Sequence, residues 1–191
     1  AMAGWGRRFR IAIAGTNPRT QRKFIWHLFH ARPGGGASPA GDGWPTAGEW
    51  HSAGGIKFGS VEVAEARFPL TFECHEFRPD SAGDGMHRGG VGAVLRLRVD
   101  IEDPAVANTA GDGIRHAPYG LLGGKDGLPH RYRLQSRGRP IRALKTKEVG
   151  VPVRKGDVFL IESSGGGGYG PPSKRQRQAR ASDRENGFVT K

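Results

Sequence analysis

The chain has 191 residues and a formal charge of +12, with 32 glycines, 13 prolines and a single cysteine, Cys74. This length allows one domain with a buried core, and one cysteine excludes an internal disulfide framework. The residues after Ala1 lack an apolar leader, and no apolar run is long enough to cross a bilayer. The sequence therefore predicts a soluble cytoplasmic protein without a membrane partner. The charge fits a nucleic acid, an anionic surface or an acidic partner subunit equally well.

The predicted elements are mainly strands. Residues 68–74 and 95–101 alternate apolar and polar side chains with a period of two, as a strand with one buried face does. Cys74 falls on the apolar side of the first of these strands, which predicts a buried thiol. Weaker strand candidates lie at residues 10–14, 23–29, 60–64, 132–135 and 157–162. The fold class expected is mainly β, a β-rich α+β fold of antiparallel strands joined by long glycine-rich loops.

Four glycine-rich segments separate these strands, at residues 33–44, 79–92, 118–127 and 163–170. Glycine permits a positive φ and a close approach of two backbones, so such segments can direct several N–H groups at an anion or pack under a partner. Flexible turns are the commoner explanation of any single run. Because the loops are longer than those of most compact domains, we expect them to pack against another part of an assembly.

The fourth segment invites comparison with a phosphate-binding loop. A Walker-type loop needs Gly-x4-Gly-Lys-Ser/Thr at the start of a helix, so that lysine and hydroxyl reach the phosphates and magnesium. Here Tyr169 and Gly170 follow Gly168, and Pro171 and Pro172 stand where a helix would begin. The sequence therefore disfavours nucleotide binding by this run.

Familiar catalytic and metal-binding patterns are not apparent. Cys74 and His75 are neighbours in a predicted strand and point to opposite faces, so they do not form a local Cys–His pair. His27 and His30 would meet only on a helix, whereas their segment is predicted as a strand. None of the seven histidines has a spacing typical of a metal site: His27, His30, His51, His75, His87, His116 and His130.

The composition changes after residue 170, which divides the chain into a β-rich region, 1–170, and a basic tail, 171–191. Six basic residues face only Asp183 and Glu185 in the tail. A solvated tail is favoured. The alternative is a short helix capped by Ser173 and ended by Asn186 and Gly187.

The glycine-rich segments, taken in order, resemble the C-terminal part of the hydantoinase B family. Residues 80–90, Asp-Ser-Ala-Gly-Asp-Gly-Met-His-Arg-Gly-Gly, are similar to its Asp-Ser-Gly-Gly-x-Gly-x-x-Arg-Gly-Gly segment, with Ala82 in place of the first glycine. Residues 62–70 are similar to its Glu-x-x-Glu-x-x-x-Pro-Leu strand entry, and residues 120–125 and 156–170 complete the series. The family includes the B-type subunits of ATP-dependent hydantoinases and 5-oxoprolinases and is related to the large subunit of acetone and acetophenone carboxylases.

The resemblance implies a segment of an enzyme that uses ATP to open a cyclic amide or to carboxylate a ketone, and that is not catalytic by itself. It implies ATP and a divalent metal in the full complex, with no cofactor bound by this segment alone. The partners implied are a hydantoinase A-type ATPase subunit and the N-terminal part of the B-type subunit, which has no counterpart in these 191 residues.

The resemblance also suggests which residues carry function. In such chemistry arginine and backbone N–H groups stabilise the anion, so Arg88, with Asp80 and Ser81, is a candidate anion or substrate contact. The alternative is that Arg88 pairs with Asp80 or Asp84 and holds its own loop. Candidate loop or interface residues are Gly89, Gly90, Gly165, Gly166, Gly167 and Gly168, and no metal ligand is assigned. For the last four, packing against a partner is favoured over lining an active cavity.

Two other functions remain open from the sequence. A nucleic-acid-binding module would use the basic tail and the face that carries Arg96 and Arg98. Against it, Trp26, Phe68 and Phe72 stand at core-like positions and do not interleave with the basic residues as a stacking platform would. The other alternative is a purely structural assembly domain.

Overall fold

The structure is a computed structural model that describes residues 1–48 and 59–190. Of the seven histidines, His51 lies outside these residues. Nine strands form within these residues: β1 Phe9–Thr16, β2 Lys23–His27, β3 Leu70–Arg78, β4 Gly92–Val99, β5 Glu102–Gly111, β6 Arg131–Gln135, β7 Arg142–Ala143, β8 Glu148–Val153 and β9 Val158–Glu162. Two α-helices accompany them, α1 Val61–Arg67 and α2 Arg177–Glu185, with a 3-10 turn at Pro172–Lys174. The predicted mainly β fold class is confirmed.

The strands form two antiparallel sheets that share one apolar core. One sheet has the order β2-β1-β5-β8, and the other has the order β3-β4-β9-β6-β7. Ile11 and Ile13 of the first sheet and Leu95 and Leu97 of the second are fully buried in the same cluster. The alternation at residues 95–101 predicted this buried face correctly, because burial on one face of a strand repeats every second residue.

Residues 60–64, a weak strand candidate, belong instead to the start of helix α1. Ser60 caps the helix, since its Oγ accepts a hydrogen bond from the Val63 N–H at 3.2 Å. The apolar–acidic alternation of residues 61–63 imitates a strand, whereas the capping serine is the signal that decides the structure. Of the helix residues only Ala64 is buried.

Cys74 is half-buried, so the prediction of a buried core thiol is wrong. The pairing of β3 with β4 shifts its register between Phe72 and Cys74. A bulge of this kind interrupts the period of two, so the alternation that buries Leu70 does not carry through to Cys74.

Strands β5 and β8 had no clear signal in the sequence. Strand β5 is rich in alanine and contains Pro104, and β8 contains Gly150 and Pro152. These residue types have low strand propensity. Strand β8 lies at the edge of its sheet, where a proline is tolerated because one side of the strand makes no ladder hydrogen bonds.

The tail forms helix α2, so the favoured solvated tail is wrong and the alternative helix is confirmed. Its cap was misplaced: Ser173 lies in the 3-10 turn, and Gln176 precedes the helix without a side-chain cap. Gly187, at φ +69°, follows the C-cap residue Asn186, as the sequence predicted.

Candidate functional site

The four glycine-rich segments, separate in sequence, lie against one another; we call residues 33–44, 79–92, 118–127 and 163–170 the glycine cluster. Gly166 donates its N–H to the Gly90 carbonyl, and Gly90 donates to the Gly35 carbonyl, both at 2.8 Å. Gly168 donates to the Lys125 carbonyl at 2.9 Å. The fourth segment thus lies between the others and is bonded to them through backbone groups.

Close approach of backbones explains why these positions carry glycine. A Cβ atom on Gly166 would lie 1.9 Å from the Gly35 carbonyl oxygen, and one on Gly90 would lie 1.9 Å from the Trp44 carbonyl oxygen. Neither glycine has a positive φ, and both are buried. The expectation of flexible turns is therefore wrong for these two positions: their backbones are packed, and no side chain fits between them.

The N–H groups of the fourth segment are already used inside the chain. Gly166, Gly167 and Gly168 donate to the carbonyls of Gly90, Gly4 and Lys125. A phosphate loop needs such N–H groups free to point at the ligand. The arrangement therefore does not fit ATP at this run, in agreement with the missing lysine.

Arg88 lies in a second feature, which we call the charged cluster: Asp42, Arg88, Arg175 and Asp183. Arg88 Nε donates to Asp183 Oδ1 at 2.9 Å, and Arg175 Nη2 donates to Asp183 Oδ2 at 2.7 Å. Arg175 also holds both oxygens of Asp42 at 2.8 Å in a bidentate pair. Since Asp183 belongs to α2 and Arg88 to the glycine cluster, these charges attach the tail to the body of the protein.

The electrostatics of the charged cluster favour the ionised states of Asp42 and Arg175. Burial alone would raise the pKa of Asp42, but hydrogen bonds and charge from Arg175 and Arg88 hold that pKa below its ordinary value. The Asp42 carboxylate in turn raises the pKa of Arg175. The Phe188 ring lies beside Arg88, with its centroid 4.7 Å from the guanidinium carbon, a cation–π distance.

The three residues predicted to contact an anion or substrate all have partners within the chain. Arg88 is 5% exposed and pairs with Asp183, not with Asp80 or Asp84, so the expected loop partner is wrong. Ser81 is fully buried; its Oγ donates to the Arg78 carbonyl at 2.6 Å and accepts from the Gly92 N–H at 2.9 Å.

Asp80, at φ +57°, accepts hydrogen bonds from the backbone and hydroxyl of Thr190. It therefore attaches the end of the tail near the charged cluster. Contact of Asp80, Ser81 or Arg88 with an anion or a substrate stays a prediction.

The predicted loop or interface glycines lie among the chain's own segments. Gly89 and Gly90 pack on Gly166 and Gly35, and Gly165 to Gly168 are buried. Their contact with a partner subunit or a substrate cavity also stays a prediction.

His130, which sequence reasoning did not single out, joins the core to the glycine cluster. It is fully buried and stacks on Phe9 at 4.3 Å. Its Nδ1 accepts the Ser164 N–H at 2.8 Å, which places the ring proton on Nε2, 3.0 Å from the Arg7 carbonyl. Burial lowers the pKa of His130 to about 3, so the ring is neutral near pH 7.

The described part of the chain offers no group of three or more His, Cys, Asp or Glu residues able to hold a metal ion. The His27 side chain is exposed whereas His30 is buried, so this pair does not form a common site. Within the same residues, no helix has the length and apolar character needed to cross a membrane.

The amino-acid sequence is similar to those of several known proteins. The sequence is 30% identical to the caprolactamase subunit beta of Pseudomonas jessenii over 98% of this chain and 33% of the relative. It is 31% identical to 5-oxoprolinase 1 of Arabidopsis thaliana over 71% of this chain and 11% of the relative. The chain thus spans a third or less of these two proteins.

Two solved structures share the fold. The ATP-dependent caprolactamase of Pseudomonas jessenii superposes with a TM-score of 0.82 and 28% identity over 99% of this chain and 33% of that one. An acetone carboxylase in its nucleotide-free state has a TM-score of 0.82 and 21% identity over 96% of this chain and 28% of that one, a likeness of fold. The family described as hydantoinase B/oxoprolinase matches residues 1–172, which include the whole glycine cluster. The chain belongs to the hydantoinase B/oxoprolinase family.

Proposed function

We propose that this chain is the C-terminal segment of a hydantoinase B-type subunit in an ATP-dependent enzyme that opens a cyclic amide, and that it is not catalytic by itself. The similarity to caprolactamase subunit beta carries this proposal, since it extends over 98% of the chain. The alternative is a related ketone carboxylase, since the chain shares its fold with an acetone carboxylase.

In this proposal the segment is a rigid part of the subunit, and ATP and a divalent metal are bound elsewhere in the complex. Two observations support this division. The N–H groups of Gly166, Gly167 and Gly168 are engaged with carbonyls, and the described residues hold no set of metal ligands. The partners are then a hydantoinase A-type ATPase subunit and the N-terminal part of the B-type subunit.

The ion pairs on the basic face of the sheet count against the nucleic-acid alternative. Arg96 lies 3.3 Å from Glu73, and Arg98 lies 3.4 Å from Glu73 and 3.0 Å from Asp100. Trp26 is 5% exposed and stays in the core. A surface that binds single-stranded nucleic acid needs uncompensated cations and accessible aromatic rings, and this face supplies neither.

Reconstitution tests the proposed function. The purified chain, with ATP and Mg²⁺, is assayed for ADP formation and for ring opening of caprolactam, hydantoin and 5-oxoproline. The same assays follow with the A-type subunit and the N-terminal part of the B-type subunit added. We expect no turnover by the chain alone and ATP-dependent ring opening by the complete mixture.

A ketone assay separates the two reactions. Acetone and labelled bicarbonate replace the cyclic amide, and incorporation of label into product is measured. Label incorporation without ring opening would assign the complex to the carboxylases. Turnover by the isolated chain would overturn its proposed dependence on the other parts.

A further inference from the structure

Helix α2 and the 3-10 turn before it expose four cations that have no acidic partner among the described residues. We define the basic stripe as Lys174, Arg177, Arg180 and Arg184; all four are exposed. The three arginines are spaced i, i+3 and i+7 and so lie on one side of the helix. The contact the structure gives Arg180 is with the Pro172 carbonyl, and the buried residue of α2 is Asp183.

Local physical chemistry disfavours this helix. Its N-cap residue, Gln176, makes no side-chain cap, and its first turn has no acidic residue. Arg177 instead places a cation at the positive end of the helix dipole. The pairs Arg177/Arg180 and Arg180/Arg184 put like charges at i, i+3 and i, i+4, which is also unfavourable. A helix of nine residues is marginal even without these effects.

The charged cluster holds this helix in place despite these costs. Asp183 is bound by both Arg88 and Arg175, and the Phe188 carbonyl accepts from the Asp80 N–H at 2.9 Å. The basic stripe is therefore a surface of fixed geometry. Residues that oppose local stability, as Arg177 does at the helix start, are expected at functional surfaces.

We propose that the basic stripe docks onto an acidic surface of the A-type partner subunit. The inference rests on the proposed function, since it presumes that such a subunit binds this chain. The four exposed cations of the stripe are complementary in charge to an acidic protein surface. A nucleic acid fits less well, because the nearest tail aromatic, Phe188, is directed at Arg88. The three arginines of the stripe also span only about 10 Å, at 1.5 Å per helical residue.

Charge reversal with a matched control tests this docking surface. The stripe variant carries Lys174→Glu, Arg177→Glu and Arg184→Glu, and leaves Arg180 and the charged cluster unchanged. The control variant carries Arg137→Glu, Arg139→Glu and Lys155→Glu, three exposed cations of the body. Both variants change the net charge equally. Each is co-expressed with the A-type subunit, and the dissociation constant is measured at 50 and 200 mM salt.

We expect the wild-type chain and the control variant to bind alike, and the stripe variant to bind at least tenfold more weakly with a shallower salt dependence. Thermal unfolding checks that the stripe variant is folded; its melting temperature should change little, because the gain from Arg177→Glu at the helix start offsets the loss from Arg184→Glu at the helix end. Equal binding by both variants would overturn the docking proposal while leaving the proposed function intact.

Failure of the wild-type chain to bind the A-type subunit would count against the proposed function itself. A duplex oligonucleotide of 20 base pairs is the second probe. If the stripe variant lost affinity for the duplex alone and kept its affinity for the subunit, the stripe would be a nucleic-acid surface and the docking proposal would be wrong.

Discussion

The glycine cluster and the tail are attached to the same body by opposite means. In the glycine cluster, Gly35, Gly90 and Gly166 meet backbone to backbone, with no side chain between them. The tail is held by the charged side chains of Asp42, Arg88, Arg175 and Asp183, and α2 buries no apolar residue. The first contact requires that these glycines have no side chains, and the second requires charged side chains.

The difference predicts how each contact responds to change. Backbone packing is insensitive to salt and pH, but any added atom must displace a carbonyl group. A buried ion pair tolerates small shifts in geometry, yet it fails when one partner is removed, because the other charge stays buried without compensation. Substitutions can therefore break either contact alone.

The largest effect is expected for Gly166→Ala. The new Cβ would lie 1.9 Å from the Gly35 carbonyl oxygen, and its three nearest neighbours would all be backbone atoms. We expect a loss of more than about 3 kcal/mol in the free energy of unfolding, or no soluble protein, since overpacking of this kind exceeds the usual cost. Urea denaturation followed by circular dichroism measures it.

Two other glycines serve as controls for Gly166→Ala. An added Cβ at Gly59 meets only His30 atoms at 3.9 Å or more, so Gly59→Ala should change stability little. Gly138 has open space but φ +70°, so Gly138→Ala should cost about 1 kcal/mol through backbone strain. If Gly166→Ala cost no more than Gly138→Ala, close packing would not be what requires glycine in the cluster.

The next largest effect is expected for Asp183→Ala, which breaks the tail contact. Arg88 and Arg175, with 6% and 7% of their side chains exposed, would keep their charges without this carboxylate. Breaking such a pair costs about 3 kcal/mol, and we expect it as opening of the tail. Hydrogen exchange should therefore rise in residues 177–190 while strands β4 and β9 stay protected.

Glu185→Ala provides the matched control for Asp183→Ala. Glu185 is an exposed acid on the same helix and belongs to no ion pair in the part of the chain described. Its removal should leave exchange in the tail unchanged. Equal exchange in the two variants would show that the charged cluster does not hold the tail.

The sequence predicts the parts of this molecule that carry a side-chain pattern. Leu95, Leu97 and Val99 alternate with polar residues, so their buried face follows directly. The glycine cluster has no such pattern, because glycine has no side chain to alternate. Nothing in the sequence near Gly166 therefore identifies the Gly35 backbone as its neighbour.

The contacts within the charged cluster are not predictable from the sequence either. Arg88 was singled out, but its partner Asp183 lies 95 residues away. Local spacing favoured Asp80 and Asp84 instead, and only the fold brings α2 to the second glycine segment. The fold class and the order of the segments were thus predictable, whereas the contacts between segments were not.

A smaller effect, dependent on pH, should separate the two contacts further. The pKa of His130 is about 3 in the folded protein and near 6.5 in the unfolded chain, so between these values the unfolded chain binds the extra proton. Stability is therefore full above pH 6.5 and falls on acidification by about 1.4 kcal/mol per pH unit in this window. Burial lowers the pKa of His30 as well, which acts in the same direction.

Urea denaturation of the wild type and His130→Asn between pH 7 and 4.5 measures this effect. The variant should be less stable at pH 7 but should lose less stability on acidification, and His116→Asn, at an exposed position, should match the wild type. The tail should stay protected from exchange down to pH 4.5, because hydrogen bonds and charge from Arg175 and Arg88 hold the pKa of Asp42 below its ordinary value. An unchanged slope in His130→Asn would exclude His130 as the source.

The smallest effect should be a gain in stability, at a position in the glycine cluster where glycine is absent. Leu122 has φ +51° and a side chain that is 66% exposed, between Gly120 and Gly123. A residue other than glycine in this left-handed conformation destabilises the folded protein by about 1–2 kcal/mol. Glycine removes this strain, but its larger conformational entropy in the unfolded chain offsets roughly 0.5–1 kcal/mol of the gain. Leu122→Gly should therefore stabilise the protein by about 0.5 kcal/mol in urea denaturation, whereas Leu122→Ala, which keeps the strain, should not. A gain from both substitutions would show that the exposed leucine side chain, and not the backbone conformation, destabilises this position. A gain from glycine alone would show that positive φ acts here, separately from the close packing that requires glycine at position 166.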